Sequence, residues 1–257
     1  MQMPENSFKR AIAAGNPQLG LWVSLCSNYA TECVATAGYD WVLLDMEHSP
    51  SDMSTVLGQL QAMQNSPTVA MVRPYWNDSV LVKRLLDLGA STLLFPMVQN
   101  AEEARSAVAA TRYPPQGIRG VALTHRGNAF GRQKDYLQRI HDEVCVIVQV
   151  ETRAALSCVE EIAAVEGVDG VFFGPADISA DFGKLGQTMD SDVWEVIRGA
   201  AAKVTALGKP AGTLVTDPVF AADLLNAGFS FVACGTDAGL LARGADQLLA
   251  KVRAGLT

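Results

Sequence analysis

The sequence contains few charged residues, few aromatic residues and little positive charge. Charged residues make up 18% and aromatic residues 7% of its 257 residues, whereas hydrophobic residues reach 49%. This composition can fill a core, and it excludes a chain that is mostly disordered. With 20 Lys and Arg against 27 Asp and Glu, the net charge is −7 at pH 7. Because nucleic acids and anionic membranes bind basic surfaces, neither is expected as a partner.

The sequence also lacks cysteine pairs and long apolar segments. Its five cysteines are an odd number without a CxxC pair, so neither a disulfide framework nor a thiolate zinc site is expected. No apolar run reaches the roughly 18 residues of a membrane span. The N-terminal MQMPENSFKRAIAAGNPQ has no apolar segment typical of a secretion signal. We therefore expect a cytoplasmic protein with reduced thiols.

Eight short apolar runs alternate with segments of helical periodicity. The runs are continuously apolar, which is typical of parallel strands covered on both faces. Eight strand–helix units in about 250 residues predict an α/β fold, a (β/α)8 barrel of one domain spanning residues 1–257. An open doubly wound sheet is the alternative, but no GxGxxG sequence follows the first run. The predicted strands are 19–25, 41–45, 68–73, 91–96, 144–151, 170–174, 210–215 and 231–235.

Helix boundaries in the sequence support this alternation. Several helical segments follow a residue that is typical of an N-cap, because its side chain accepts a hydrogen bond from the first turn. These residues are Ser51, Asp78, Asn100, Asp190 and either Thr216 or Asp217.

Charged residues lie at the ends of strands two, three, five and six. Strand two ends in Asp45-Met46-Glu47-His48, and strand three in Arg73. Strand five ends in Gln149-Val150-Glu151, and strand six leads into Gly174-Pro175-Ala176-Asp177. In a (β/α)8 barrel the carboxyl ends of the strands carry the active site. The sequence therefore predicts one site at this end of the barrel.

Glu151 and Asp177 are the candidate metal ligands. Two carboxylates from adjacent strand ends suit a hard divalent cation such as Mg²⁺. Alternatively, each carboxylate interacts only with the helix that it precedes, because acids favour helix N-termini. The Gly174–Asp177 segment opens a helix, whose backbone N–H groups would bind an anionic group of a ligand.

His48 and Arg73 are the candidate reacting groups. A histidine near neutral pKa, oriented by a carboxylate such as Asp45, suits proton transfer; the alternative is a packing or capping histidine. A buried arginine at a strand end requires an anion. That anion is either a substrate oxyanion or a structural partner, Asp45 or Glu47. Trp22 is interpreted as a core or pocket-wall residue.

One long irregular stretch, residues 113–133, contains two Pro, four Gly and three Arg. Loops of this length inside a compact domain are usually functional or mobile.

No lysine ends a strand, which disfavours a Schiff-base aldolase. Neither a GxSxG sequence nor a Walker-type loop is present.

Together these motifs resemble the class II, metal-dependent pyruvate aldolases of the 4-hydroxy-2-oxoheptanedioate and 2-keto-3-deoxyglucarate type. The resemblance covers nearly the whole chain, and its ordered set of motifs is more specific than any one of them. It is closest to the heptanedioate aldolases. The motifs are GLWVSLCSNYATECVATAGYDWVLLDMEHSP (20–50), VRPYWND (72–78), LLFPMVQNAEEARSAVAATRYPPQGIRG (93–120), VQVETR (148–153) and VEGVDGVFFGPADIS (165–179).

The resemblance implies roles for individual residues. Glu151 and Asp177 would bind Mg²⁺, Mn²⁺ or Co²⁺, His48 would be the base and Arg73 would stabilise an enolate. Asp87 would come from a neighbouring subunit and raise the basicity of the histidine, which Asp45 also assists. Gln149 and the backbone of Ala176 and Asp177 would bind pyruvate. Leu214 would line the aldehyde pocket.

The resemblance also implies a homohexamer, a trimer of dimers that exchange a C-terminal helix of about residues 237–254. The expected reaction is reversible cleavage of a 4-hydroxy-2-oxo acid to pyruvate and an aldehyde. The 121–132 loop departs from the family pattern, which leaves the aldehyde open. The alternatives are an acyl-CoA lyase of the malyl or citramalyl type and a non-catalytic metabolite-binding barrel.

Overall fold

The chain forms a closed barrel of eight parallel strands in strand order β1 to β8, which confirms the predicted (β/α)8 fold. The computed structural model describes residues 5–256. The strands are β1 Gln18–Val23, β2 Trp41–Asp45, β3 Val69–Arg73, β4 Thr92–Phe95, β5 Cys145–Val150, β6 Gly170–Phe173, β7 Ala211–Leu214 and β8 Phe231–Thr236.

Helices follow the strands around the barrel. They are α1 Ser7–Ala13, α2 Asn28–Ala35, α3 Met53–Ala62, α4 Ser79–Leu88, α5 Ala101–Thr111, α6 Tyr136–Glu143, α7 Arg153–Ser157, α8 Val159–Ala163, α9 Pro175–Asp181, α10 Ser191–Ala206, α11 Pro218–Asn226 and α12 Asp237–Ala254. A short 3-10 helix, Arg126–Asn128, lies within the irregular 113–133 stretch.

Most of the predicted N-caps are present. Asp78, Asn100 and Asp190 each accept hydrogen bonds from the first turn of the following helix, and at α11 the cap is Asp217. The predicted cap Ser51 is wrong by one residue. Asp52 caps α3, because its Oδ1 accepts a hydrogen bond from the Thr55 backbone N–H at 2.7 Å.

The floor of the barrel is closed by aromatic side chains. Phe8 of α1 packs against Trp41 and Phe231, with ring centroids 5.8 and 5.6 Å apart. Glycines make room for these rings. A Cβ atom at Gly20 would lie 2.2 Å from the Trp41 ring, and one at Gly212 would lie 2.2 Å from Phe231. Larger residues at these two positions would displace the floor.

Inward-facing residues change from apolar to polar along the strands. Because side chains alternate between the two faces of a strand, every second residue points into the barrel. On β2 the buried Trp41 and Leu43 of the interior cluster precede Asp45, and on β3 Met71 precedes Arg73. On β5 the same alternation passes from Cys145 and Ile147 to Gln149. The next position of this alternation is Glu151, directly after the strand.

The last helix, α12, is exposed along nearly all of its length. Asp237 is the one buried residue of this helix, all of which the structure describes. Its carboxylate accepts hydrogen bonds from the backbone N–H groups of Ser24 and Leu25 at 2.9 and 3.1 Å. The apolar residues Leu240, Leu241, Leu248, Leu249 and Val252 are exposed.

Two further observations concern the described residues. Within residues 5–256, no helix has the length and apolar character needed to cross a bilayer. The five cysteines, Cys26, Cys33, Cys145, Cys158 and Cys234, are all unpaired in the described part of the chain.

Candidate active site

A cavity of about 210 Å³ opens at the carboxyl ends of the strands. Nine of the twelve predicted site residues line it: Trp22, His48, Arg73, Gln149, Gly174, Pro175, Ala176, Asp177 and Leu214. Asp45 and Glu151 lie directly behind this lining: Asp45 is hydrogen-bonded to Arg73 and Trp22, and Glu151 to Gln149. The remaining predicted residue, Asp87, lies on α4 and does not line this cavity.

The Arg73 guanidinium is buried and held by two carboxylates. Its Nε and Nη2 donate to the two oxygens of Asp45 at 2.9 and 2.7 Å. Its Nη1 lies 2.8 Å from Glu47 Oε2. The guanidinium also lies over the Trp22 ring, 4.9 Å from its centroid. Asp45 and Arg73 are direct neighbours in the β2–β3 register, so the pairing follows from strand alignment.

Asp45 anchors this group. Its Oδ2 also accepts a hydrogen bond from Trp22 Nε1 at 3.0 Å, and its Oδ1 accepts one from the Glu47 backbone N–H at 3.0 Å. Burial opposes its ionisation, yet the Arg73 guanidinium and the other donors hold the pKa of Asp45 below its usual range. Burial raises the pKa of Glu47, an effect that the nearby Arg73 and His48 only partly offset.

The His48 imidazole faces the cavity. Its side chain is 69% exposed, and its Nε2 lies 4.0 Å from Glu47 Oε2. The Asp45 carboxylate contacts His48 through the backbone N–H, at 3.4 Å, while its oxygens bind Arg73. A substrate in the cavity could therefore reach the imidazole, whose orientation Asp45 affects only through the backbone.

Glu151 is a buried carboxylate in an acidic surrounding. Its Oε1 accepts a hydrogen bond from the Met97 backbone N–H at 2.8 Å, and its Oε2 accepts one from Gln149 Nε2 at 2.5 Å. Burial, together with the negative charges of Asp177 and Glu47, raises the pKa of Glu151 to about 7. A cation bound here would offset both the cost of burying the ionised carboxylate and its repulsion by the neighbouring carboxylates.

The donor set fits a hard divalent cation. Glu151 and Asp177 supply carboxylate oxygens, and Mg²⁺ is often held by one or two carboxylates with water and substrate oxygens completing its shell. No group of three His, Cys, Asp or Glu side chains suited to a metal ion occurs within residues 5–256. A cation at this position would therefore need oxygen ligands besides these two carboxylates, such as water or substrate oxygens.

Gly174 allows the start of α9 to approach Glu151. A Cβ atom at this position would lie 2.6 Å from Glu151 Oε2 and 3.1 Å from Gln149 Nε2. Pro175 occupies the first turn of α9, where its missing N–H costs nothing. The N–H groups of Ala176 and Asp177 belong to the same turn, where helical donors lack partners within the helix.

Asp87 lies on α4, away from this cavity. Its Oδ1 accepts a hydrogen bond from Arg119 Nη2 at 2.8 Å and lies 3.8 Å from His125 Nε2. Arg119 is fully buried and packs over the Tyr113 ring at 4.5 Å. Asp87 therefore does not line the cavity of its own chain, and its expected role toward another subunit stays a prediction.

Five lining residues were not predicted from the sequence: Phe172, Thr188, Met189, Val215 and Thr216. Phe172 could have been found, because it lies two residues before Gly174 and shares its inward face. Val215 and Thr216 directly follow Leu214. Thr188 and Met189 belong to the loop between α9 and α10, for which the sequence offers no motif.

Comparisons with known proteins identify a family and several relatives of this chain. A family model described as HpcH/HpaI aldolase/citrate lyase matches residues 18–244. A pyruvate aldolase of Rhizobium etli is 53% identical over 251 residues, which cover 98% of this chain and 99% of the relative. A 4-hydroxy-2-oxo-heptane-1,7-dioate aldolase of Salmonella typhi is 51% identical over 248 residues, 96% of this chain and 94% of the relative.

A solved structure shares the fold closely. It is an HpcH/HpaI aldolase/citrate lyase family protein from Burkholderia cenocepacia, with a TM-score of 0.93 and 40% sequence identity. The match covers 96% of this chain and 99% of that one.

Proposed function

The chain belongs to the HpcH/HpaI aldolase/citrate lyase family, and we propose from its site how it cleaves 4-hydroxy-2-oxo acids to pyruvate and an aldehyde. It is a carbon–carbon lyase of the pyruvate aldolase type. The natural substrate is proposed to resemble 4-hydroxy-2-oxoheptanedioate, whose cleavage yields a semialdehyde. The observation that carries the proposal is that His48, Arg73 and Asp177 line one cavity, with the buried carboxylate of Glu151 directly behind its lining.

A divalent cation is proposed at Glu151 and Asp177, with Mg²⁺, Mn²⁺ and Co²⁺ as the candidates. Support comes from the carboxylate of Glu151, whose pKa is raised by burial and by the neighbouring negative charges of Asp177 and Glu47. When bound, such a cation supplies Lewis-acid stabilisation of the negative charge that develops on a 2-oxo acid during cleavage.

The protein's own groups bind and orient the 2-oxo acid. The backbone N–H groups of Ala176 and Asp177 and the Gln149 amide bind the pyruvate portion. The Arg73 guanidinium faces the cavity and stabilises the enolate oxygen, an arrangement that requires no reorganisation because Asp45 and Glu47 already fix the guanidinium. Leu214 forms an apolar wall beside the aldehyde portion, and Trp22 is a wall residue that packs on the Arg73 guanidinium.

His48 moves the proton. In the cleavage direction its imidazole removes the proton of the C4 hydroxyl, which breaks the C3–C4 bond and releases the aldehyde. The imidazolium then returns a proton to C3 of the enolate, which gives the methyl group of pyruvate. The exposed position of His48 in the cavity wall supports this role.

A homo-oligomer, a hexamer built as a trimer of dimers, is proposed as the active form. The supporting observation is the exposed apolar face of α12, since five large apolar side chains on one helix are unusual for a free surface. We propose that α12 packs on a neighbouring copy and that Asp87 assists His48 of a neighbouring subunit.

The test follows the methyl signal of pyruvate by NMR in D₂O, with Mg²⁺, Mn²⁺ or Co²⁺ and again with EDTA. The expected result is metal-dependent loss of the methyl protons, because enolate formation exchanges them without any aldehyde. Exchange that survives EDTA would overturn the metal assignment. Pyruvate binding without exchange would favour a non-catalytic barrel, and exchange of acyl-CoA esters instead would favour an acyl-CoA lyase.

A further inference from the structure

The segment between β4 and α5 contains a strained residue that contacts the proposed metal ligand. Met97 has a φ of +53°, which lies in the left-handed region that residues other than glycine rarely adopt. In this conformation its backbone N–H donates to Glu151 Oε1 at 2.8 Å. Strain of this kind persists only where surrounding contacts enforce it.

The Gln99 side chain supplies those contacts. Its Nε2 donates to the Met97 carbonyl at 3.2 Å, and its Oε1 accepts a hydrogen bond from Thr152 Oγ1 at 2.6 Å. Thr152 directly follows Glu151 in the chain. A closed ring of contacts therefore runs from Glu151 through Met97 and Gln99 to Thr152 and returns to Glu151 along the backbone.

Gln99 is itself held at its backbone. Its N–H donates to Glu103 Oε2 at 2.8 Å, and its carbonyl accepts a hydrogen bond from Cys158 Sγ at 3.3 Å. Glu103 belongs to α5 and Cys158 lies between α7 and α8. The Gln99 backbone is therefore fixed by contacts with the helices on both sides of the ring, and this holds its side chain in reach of Met97 and Thr152.

We propose that Gln99 and Thr152 are positioning residues for Glu151, which set the direction of its carboxylate toward the cation. The inference rests on the proposed function, because it assigns Glu151 as a metal ligand. Groups that orient a metal ligand typically contribute about 10- to 100-fold to metal affinity. Losing the Gln99 amide would release the Met97 peptide, and Glu151 Oε1 would then lose the hydrogen bond from the Met97 N–H.

The experiment measures Mn²⁺ affinity by EPR of the free ion, which needs no turnover. Gln99→Met keeps the length of the side chain and removes both polar atoms. Thr152→Val removes the hydroxyl at constant shape, and Thr152→Ser retains it. Each of the first two variants should weaken Mn²⁺ binding about tenfold, and Thr152→Ser should bind close to wild type. Gln138→Met, exposed on α6, is the matched control and should bind as wild type.

The double variant tests whether the two residues act through one ring. Gln99→Met combined with Thr152→Val should weaken binding no more than either single variant, because the ring is already broken. Thermal unfolding is measured in parallel, since the Thr152 hydroxyl also caps α7 by accepting a hydrogen bond from Ala155 N–H at 3.2 Å. A lower melting temperature with unchanged Mn²⁺ affinity would overturn the proposal.

Glu151→Gln separates this inference from the proposed function. Wild-type Mn²⁺ affinity in Glu151→Gln would refute the metal assignment itself. Loss of Mn²⁺ binding in Glu151→Gln together with wild-type binding in Gln99→Met and Thr152→Val would refute only the positioning role.

Discussion

Replacing Gly174 with alanine tests how closely the site depends on the position of Glu151. Gly174 has φ −92° and ψ 93°, a conformation open to any L-residue, so the backbone itself tolerates alanine. The added Cβ atom, however, would lie 2.6 Å from Glu151 Oε2, whereas ordinary contacts begin near 3.4 Å. The carboxylate must therefore move by about 0.8 Å.

Such a movement disrupts both contacts of Glu151, with Gln149 Nε2 at 2.5 Å and with the Met97 N–H at 2.8 Å. A misplacement near 1 Å costs about 10²-fold in rate, equivalent to about 2.7 kcal/mol of barrier. We expect Gly174→Ala to fold, to bind Mn²⁺ more weakly and to lose about 10²-fold in pyruvate proton exchange.

The assay compares the exchange rate in D₂O and the Mn²⁺ affinity of Gly174→Ala with those of Gly199→Ala. A Cβ atom at Gly199, in the interior of α10, meets nothing within 4 Å. That control should keep wild-type exchange and gain roughly 0.5–1 kcal/mol of stability. The reasoning is refuted if Gly174→Ala exchanges pyruvate and binds Mn²⁺ like the control.

Three further changes address other parts of the molecule. Arg73→Lys keeps the charge but loses the two-point contact with Asp45, and we expect proton exchange to fall by about 10²-fold or more; a near wild-type rate would remove Arg73 from the mechanism. The Arg10 guanidinium, together with the Asn6 N–H and Arg139, lowers the pKa of Glu143 from 4.5 to about 2. Glu143→Gln should therefore reduce unfolding free energy by roughly 2 kcal/mol at neutral pH. Because this stabilisation is present above pH 4.5 and lost toward pH 2, the difference in melting temperature from wild type should vanish in acid. Leu241→Asp with Leu248→Asp places charge on the exposed face of α12 and should lower the mass in light scattering; an unchanged mass would contradict packing of α12 on another copy.

The strands and most of the site could be predicted from the sequence because one physical pattern determines both. Short apolar runs indicate strands, and the residues just after them must lie at one end of a parallel barrel. Asp45, Arg73, Gln149 and Glu151 follow from that rule. The structure adds that they share the inward face of their strands, which is a stricter criterion than position at a strand end.

Other parts of the site depend on contacts that no local pattern encodes. The partner of Arg73 remained open between a substrate and a carboxylate until the β2–β3 register placed Asp45 beside it. The role of Gln99 depends on the αL conformation of Met97, a non-glycine residue, which periodicity does not predict. Asp87 has the sequence pattern of an exposed helix acid, and only the family resemblance singled it out.

The closed floor of the barrel has a kinetic consequence. Phe8, Trp41 and Phe231 fill the amino-terminal end, so reactants enter and leave through a single mouth. Arg73 and Gln149 are buried, whereas Leu214 is partly exposed and Met189 is exposed at its rim. If the pyruvate portion occupies the deeper half, the aldehyde stands between it and solvent. Release then has a compulsory order, with the aldehyde first and pyruvate second, and synthesis loads the same two molecules in reverse.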